Sequence, residues 1–265
     1  MTGLDPQQLD ELVSRVREVV GPWEDPPIGR PPALPLFEAV VAVLFGLRHN
    51  LPDDVVAEIF GVSQSTITRY HRDLCPILRW VLHPETQQRL ARMQREGALV
   101  DGFVAPVGER DGYVDLFSGK KHINGQNVQV VTDVDGRVSD VGDPVPGARH
   151  DSMAFHLSGI ADRWANHYAP GGPGMTGDKA YQGTGIITPD KKPPKQELTA
   201  AQKAYNFSVH RIRAAVERGI AHLKNWKILK TGYHRIMRDF PDVLRTVTML
   251  EIYRTQGVFK VGDGR

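Results

Sequence analysis

Cysteine is almost absent from this sequence, because Cys75 is the only one among 265 residues. A single thiol cannot build a disulfide framework or a cysteine-rich metal site, which fits a reducing compartment. Long apolar runs are also lacking: the most apolar stretch, residues 34–47, is shorter than the roughly 20 residues of a membrane span. The acidic opening residues do not form a signal peptide. We therefore expect a soluble, cytoplasmic protein with no membrane segment.

Net charge is small, at +2, but it is unevenly distributed. Residues 101–190 hold 7 basic and 12 acidic side chains, whereas residues 191–265 hold 16 basic and 6 acidic ones. A basic block alone would equally fit a solvated helix face. Clustered carboxylates need a cation and a basic surface attracts polyanions, so the two together favour an enzyme that acts on phosphodiesters.

Three short helices are predicted between residues 34 and 80. The second starts at Pro52 and ends at Gly61, and the third is capped by Ser63. This order is typical of a helix-turn-helix, although other three-helix clusters fit it too. The third helix begins with polar side chains that suit contacts with bases and phosphates. The predicted DNA contacts are Gln64, Ser65, Thr66, Thr68, Arg69 and Arg72.

Three segments follow from this pattern. Residues 1–33 are predicted to hold one amphipathic helix and a proline-rich tether. Residues 34–97 hold the helix-turn-helix module and a connecting helix. Residues 98–265 form a second domain, in which strands alternate with helices.

The second domain is predicted to be α/β, with a mixed sheet and helices on its faces. Strands are expected at 98–104, 112–117, 126–132 and 185–189. A helix is expected to start within residues 146–152, and a long one to cover about 199–229.

Asp101 is the anomaly of the first strand, because an acid inside an apolar strand must be paired, protonated or bound to a cation. If that strand is central, Asp178 lies beside it. Asp151 could approach from the start of the next helix, and Glu217 from the long helix. Each also has a plain structural role: Asp151 as a helix cap, Asp178 as a turn residue, Glu217 as an ion-pair partner within its helix. Four acids at one sheet edge nevertheless favour a shared site.

These motifs resemble the DDE transposases of bacterial insertion sequences, in particular the Harbinger-related group. The resemblance covers residues 36–228, with V-S-Q-S-T-I-T-R in the front module, L-V-D-G-F around Asp101, S-G-K-K-H-I-N-G-Q-N-V-Q-V-V, P-G-A-R-H-D-S and G-D-K-A-Y. Its most specific part is His210-x2-Arg213-x3-Glu217-x6-Lys224, which is similar to the family's Tyr-x2-Arg-x3-Glu-x6-Lys. Here His210 replaces the tyrosine.

The resemblance implies a ribonuclease H-like catalytic domain over residues 98–265, preceded by the small all-α module. It implies that Asp101, Asp178 and Glu217 hold two divalent ions, Mg²⁺ or Mn²⁺, with Asp151 as a further acid near the metals. Contacts with DNA phosphates are predicted for Arg213, Lys224, Lys191, Lys192 and Lys195, with neutralisation of the acids as a second role open to Arg213 and Lys224. For these five the alternatives are surface ion pairs and a plain solvated loop.

The predicted function is that of a transposase that cuts and rejoins double-stranded DNA at terminal inverted repeats. We expect at least a homodimer on DNA, associated with the nucleoid when bound. Two alternatives stay open: a decayed relative that binds DNA without cleaving it, and a metal-dependent endonuclease without strand transfer.

Overall fold

The computed structural model describes residues 1–27, 29 and 31–256. The helices in this part are α1 (Pro6–Val20), α2 (Leu36–His49), α3 (Asp53–Phe60), α4 (Gln64–Val81), α5 (His83–Met93), α6 (Asp151–Leu157), α7 (Ile160–Arg163), α8 (Ala165–Tyr168), α9 (Ala200–Lys224) and α10 (Phe240–Gln256). The strands are β1 (Ala98–Pro106), β2 (Phe117–Ser118), β3 (Ile123–Thr132), β4 (Val138–Val141), β5 (Val145–Pro146) and β6 (Met175–Thr176). Short 3-10 helices cover Lys179–Tyr181, Lys227–Leu229 and Met237–Asp239.

The described chain forms two compact units. The first contains Met1–Gln87 together with the residues from Lys224 onward, and the second contains Gln88–Leu223. Helix α10 therefore belongs to the same unit as α1 to α4, whereas the sequence pattern keeps residues 98–265 in one segment. No helix of the described residues is long and apolar enough to cross a bilayer.

The first unit contains the predicted helix-turn-helix, formed by α3 and α4, with α2 packed against both. Helix α3 ends at Gly61, whose φ of 66° lies in the left-handed region that glycine adopts without strain. Ser63 then caps α4, because its hydroxyl accepts a hydrogen bond from the Thr66 N–H at 3.3 Å. Local capping signals thus fix both ends of the turn.

The segment from residue 224 to 256 completes this first unit. The indole N–H of fully buried Trp226 donates to Glu251 at 3.1 Å, within α10. The amide of Asn50, which follows α2, donates to the Gly232 carbonyl at 2.9 Å. The helix-turn-helix unit is therefore built from both ends of the chain.

A partly buried polar cluster also joins the two ends. Arg235 lies 2.7 Å from Asp53 Oδ1 and 3.0 Å from His71 Nε2, and the Thr68 hydroxyl donates to Asp53 Oδ2 at 2.7 Å. Burial, and then the positive charge of Arg235, lower the pKa of His71 well below 6.5. His71 is therefore a neutral structural residue at physiological pH.

This cluster predicts a loss of stability in acid. Below pH 6.5 an unfolded chain takes up a proton at His71 that the folded chain does not, so the unfolding free energy falls as pH decreases, by up to about 1.4 kcal/mol per pH unit. His71→Gln keeps an acceptor for Arg235 and should flatten this slope in denaturant unfolding measured from pH 7.5 to 5. The exposed control His156→Gln should leave it unchanged. Equal slopes in wild type and His71→Gln would contradict the assignment.

The second unit is built around a mixed sheet with the strand order β2-β3-β1-β6, and β4 and β5 also pair with β3. Strand β1 is central, antiparallel to β3 and parallel to β6. Helix α6 packs against β3. Helix α9 approaches β3 so closely at Gly219 that a Cβ there would meet Thr132 at 2.6 Å. This arrangement confirms the predicted α/β class and is consistent with a ribonuclease H-like fold.

Two predicted strands are wrong. The chain turns within residues 112–117, because Gly112 and Asp115 have left-handed φ values of 77° and 61°. Only the short β2 remains there. In residues 185–189 the structure has a single parallel bridge at Ile187. Turn-forming backbone at these places limits how far each strand can extend.

Candidate active site

One aspartate lies on β1 and another lies just beyond the end of β6, where these two strands pair in parallel. The register pairs Leu99 of β1 with Thr176 of β6. If this register is continued by two residues, Asp101 falls opposite Asp178, which is separated from the end of β6 by Gly177. Asp178 also begins the 3-10 helix, since its Oδ1 accepts from the Ala180 N–H at 2.7 Å. Its turn role and its position beside Asp101 are thus compatible.

Asp101 is largely buried, with 18% of its side chain exposed. Its Oδ1 accepts from the Gly102 N–H at 2.8 Å, and its Oδ2 lies 3.3 Å from Nη2 of Arg213 on α9. Burial raises the pKa of Asp101, and the charges of Asp178 and Asp151 raise it further, against the opposing effects of Gly102 and Arg213. A carboxylate in this position is stabilised by any added positive charge.

Asp151 approaches β1 from the other face of the sheet. A Cβ at Gly102 would lie 2.8 Å from Asp151 Oδ1, and neighbouring strand residues point to opposite faces. Asp151 is the first residue of α6 and does not cap it, since His150 occupies the cap position. Its Oδ1 accepts from Asn127 Nδ2 at 3.0 Å, and its Oδ2 accepts from Lys120 Nζ at 3.2 Å. Both carboxylate oxygens are therefore engaged.

A chain of buried polar groups continues beneath Asp151. The Tyr181 hydroxyl donates to Gln129 Oε1 at 2.6 Å, and Gln129 Nε2 donates to Asn127 Oδ1 at 2.8 Å. Burial, and the charges of the three aspartates, raise the pKa of Tyr181 well above 10, so that it keeps its proton. Sequence reasoning missed these residues. Their signal was the alternation of Asn127 and Gln129 in an apolar strand, which directs both side chains to one face.

Glu217 lies on α9, one helical turn after Arg213, and is exposed to solvent. Arg213 is the residue through which α9 contacts Asp101. Among the residues that the structure describes, no group of three or more His, Cys, Asp or Glu side chains is arranged to hold a metal ion. The charges of Asp178 and Asp151 both raise the pKa of Asp101, although Asp151 lies on the other face of β1, and Glu217 is exposed on α9.

The chemistry of the donors fits a hard divalent cation. Three aspartates supply only oxygen ligands, which Mg²⁺ and Mn²⁺ prefer. The positive side chains of Arg213 and Lys120 contact Asp101 and Asp151 and partly offset their charge. Burial is the main cause that raises the pKa of Asp101, and the charges of Asp178 and Asp151 add to it. The cluster thus suits additional positive charge.

The predicted DNA-binding face of α4 is exposed at Gln64, Ser65, Thr68, Arg69 and Arg72. Thr66, which the sequence predicts as a DNA contact, is not part of this exposed face. It is 7% exposed, and its hydroxyl is 2.9 Å from the Ser63 hydroxyl, because it faces the turn that Ser63 caps. Arg72 is paired with Asp73 at 2.8 Å.

The predicted basic loop lies in the second unit, ahead of α9. Lys191, Lys192 and Lys195 are all exposed, and Lys192 forms an ion pair with Glu197. Lys224, the last residue of α9, is half-buried. Lys191 and Lys195 thus present their charges to solvent, where a polyanion has access to them.

Comparison with known proteins finds matches both for the helix-turn-helix region and for the region that contains the aspartates. Residues 100–251 match the model of the DDE superfamily endonucleases, and residues 32–84 match that of the helix-turn-helix of DDE superfamily endonucleases. A putative transposase for insertion sequence element IS112 from Streptomyces albus G is 34% identical over 86% of this chain and 84% of its own length. A probable transposase for insertion sequence element IS702 from Microchaete diplosiphon is 26% identical over 98% and 94%.

No solved structure matches this chain significantly. The family model covers more than half of the sequence and includes β1, β6 and most of the helices around the aspartates. The matched helix-turn-helix region comes before the endonuclease match in the chain, as the sequence pattern predicts. The chain belongs to the DDE superfamily endonucleases.

Proposed function

We propose that the protein is a transposase that cuts DNA at the ends of an insertion element and joins the ends to a target. The observations that support this proposal are the parallel pairing of β1 with β6, whose register would bring Asp101 beside Asp178 if continued by two residues, and the contact of Arg213 on α9 with Asp101. The transposases to which the chain is similar support it. Assignment to the Harbinger-related group stays a prediction.

The proposed metal ligands are Asp101, Asp178 and Glu217, for Mg²⁺ or Mn²⁺. A pair of such ions, when bound, activates an attacking hydroxyl and stabilises the leaving oxygen of an in-line displacement. Asp101 and Asp178 would hold the ions from the sheet, and Glu217 from α9. Asp151, predicted as a further ligand, ranks fourth because Asn127 and Lys120 already engage its oxygens.

The proposed DNA contacts divide between the two units. The exposed face of α4 would read the terminal inverted repeats of double-stranded DNA. Lys191, Lys192 and Lys195 would contact the backbone of the strand to be cut, as would Lys224, while Arg213 would exchange Asp101 for a phosphate. Two element ends must be paired for transfer, so we propose a homodimer on DNA. Since the substrate is DNA, we place the protein in the cytoplasm, associated with the nucleoid.

Arg69 provides a test of the α4 face. It is exposed and has no ion-pair partner among the described residues. Arg69→Ala should weaken binding to element-end DNA by about 1–3 kcal/mol, roughly 5- to 150-fold in Kd, measured by fluorescence anisotropy at fixed salt. The control Arg17→Ala removes an exposed arginine that is paired with Glu24 at 2.9 Å and should change Kd less than threefold. Equal Kd values for both variants would contradict the assignment.

The function itself is tested with end-labelled DNA that carries the inverted repeats flanking the gene. Wild-type protein with Mg²⁺ should release the element end and join it to a second DNA. Cleavage without joined product would favour an endonuclease. DNA binding without cleavage, at millimolar Mg²⁺ or Mn²⁺, would favour a decayed relative.

A further inference from the structure

Lys120 is a cation placed beside Asp151 by geometry. Its Nζ lies 3.2 Å from Asp151 Oδ2, while 68% of its side chain remains exposed. Asp151 Oδ1 in turn would lie 2.8 Å from a Cβ on Gly102, the residue that follows Asp101 in β1. The charge of Asp151 raises the pKa of Lys120, and those of Asp178 and Asp101 raise it further. An accessible ammonium beside clustered carboxylates can contact a bound phosphodiester.

The turn that carries Lys120 has a defined backbone. Strands β2 and β3 form a hairpin closed by residues 119–122. The N–H groups of Lys121 and His122 both donate to the Ser118 carbonyl, at 3.2 and 2.7 Å, and His122 has a left-handed φ of 54°. These bonds hold the Lys120 backbone at the tip of the hairpin.

The hairpin is also held at a fixed distance from α6. A Cβ at Gly147 would lie 2.6 Å from the carbonyl oxygens of Gly125 and Leu116, so the segment before α6 packs backbone to backbone against the hairpin. Arg149 adds an ion pair with Asp115, which precedes β2. The spacing between Lys120 and Asp151 is therefore set by the backbone rather than by a flexible side chain alone.

Asp151 is oriented from behind by the buried chain of donors. Tyr181 donates to Gln129, and the Gln129 amide donates to Asn127. The Asn127 amide then donates to Asp151 Oδ1, which leaves Oδ2 for Lys120. Each amide has only one orientation that satisfies both neighbours, so the direction of the chain fixes which oxygen faces Lys120.

We infer that Lys120 binds the scissile phosphodiester, and that Asp151 is its positioning residue, held in turn by Asn127, Gln129 and Tyr181. This inference rests on the proposed DNA cleavage. It assigns to Asp151 a role through Lys120 that does not require bonding to the metal. It also accounts for three motifs at once, those that contain Lys120, Asp151 and Tyr181.

The test compares Lys120→Gln with Lys121→Gln in the full-length protein. Lys121 lies in the same turn, is exposed and has no acidic partner among the described residues. Lys120→Gln should lower the rate of DNA cleavage about 100-fold, the effect of removing one group that stabilises charge in a transition state. Lys121→Gln should stay within threefold of wild type. Equal rates for the two variants, in a preparation whose wild type cleaves, would overturn the inference and leave the proposed function intact.

Mn²⁺ binding, measured by calorimetry without DNA, separates positioning from ligation. Lys120→Gln should bind Mn²⁺ at least as tightly as wild type, because a competing positive charge is removed. Asp151→Asn should lose cleavage to the same extent as Lys120→Gln and keep its Mn²⁺ affinity, and the double variant should be no slower than either. A weakened Mn²⁺ affinity in Asp151→Asn, or additive losses in the double variant, would overturn the positioning role. Failure of wild type to bind Mn²⁺ would instead contradict the proposed function.

Discussion

Asp101→Asn is expected to lower DNA cleavage by roughly 1,000-fold or more while making the protein more stable at neutral pH. The loss follows because the central strand would no longer offer a charged ligand. The gain in stability follows because burial and two neighbouring carboxylates raise the pKa of Asp101. Ionising Asp101 therefore costs more free energy in the folded protein than in the unfolded chain. A rise in Tm is therefore expected in thermal unfolding of Asp101→Asn at neutral pH.

The pH dependence of this gain has a defined sign. A raised carboxyl pKa means that the folded protein holds the Asp101 proton to higher pH than the unfolded chain does. The loss of folding free energy caused by ionising Asp101 therefore appears as pH rises through and above 3.8. The Tm difference between Asp101→Asn and wild type should therefore be largest at pH 7 and shrink toward pH 4. A difference that grows on acidification would contradict the electrostatic origin.

Asp140→Asn is the matched control. Asp140 lies in the same sheet, on β4, with 15% of its side chain exposed, and it pairs with Arg163 at 3.0 Å much as Asp101 pairs with Arg213. It also accepts from the indole of Trp164 at 2.7 Å. Its replacement should lower Tm and keep cleavage near the wild-type rate. If both variants lose stability and neither loses cleavage, Asp101 has only a structural role.

Glu217→Gln should lower cleavage as much as Asp101→Asn, again roughly 1,000-fold, but leave the Tm unchanged within about 1 °C. Glu217 is exposed on α9, so its charge has little effect on folding. Mn²⁺ affinity should weaken together with cleavage, because the proposed role of Glu217 is to hold a cation.

The control for Glu217 is Glu109→Gln, which neutralises another exposed glutamate of the second unit. The cleavage rate and the Mn²⁺ affinity should both stay at wild-type values in this variant. If Glu217→Gln cleaves as well as Glu109→Gln, the carboxylate at 217 is not part of the site. The resemblance that assigned it would then fail at its most specific motif.

The helix-turn-helix was predictable because its signals are local. Gly61 ends α3 and Ser63 caps α4 within three residues of sequence, and the apolar periodicity on either side is strong. The participation of α10 was not predictable, since it depends on contacts such as that of Trp226 with Glu251. Nothing in a local pattern indicates that residues 224–256 pack with the front of the chain.

For the candidate site, the sequence named acids, and their assignment as metal ligands stays a prediction. An acid in an apolar strand singled out Asp101, and the parallel pairing of β1 with β6 is consistent with Asp178 lying near it. That Thr66 faces inward depends on the packing of the turn, and the pairing of Asp151 with Lys120 depends on the hairpin of β2 and β3. The alternate spacing of Asn127 and Gln129 in β3 puts both side chains on one face. Their partners, Tyr181 and Asp151, become known only from the structure.

The most direct measurement is anomalous diffraction from crystals of the wild-type protein with element-end DNA and Mn²⁺. We predict manganese peaks about 3.5–4 Å apart, bound by carboxylate oxygens of Asp101, Asp178 and Glu217 next to a DNA phosphate. Manganese bound to the DNA-loaded protein elsewhere, with Asp101 still paired only with Arg213, would contradict the account.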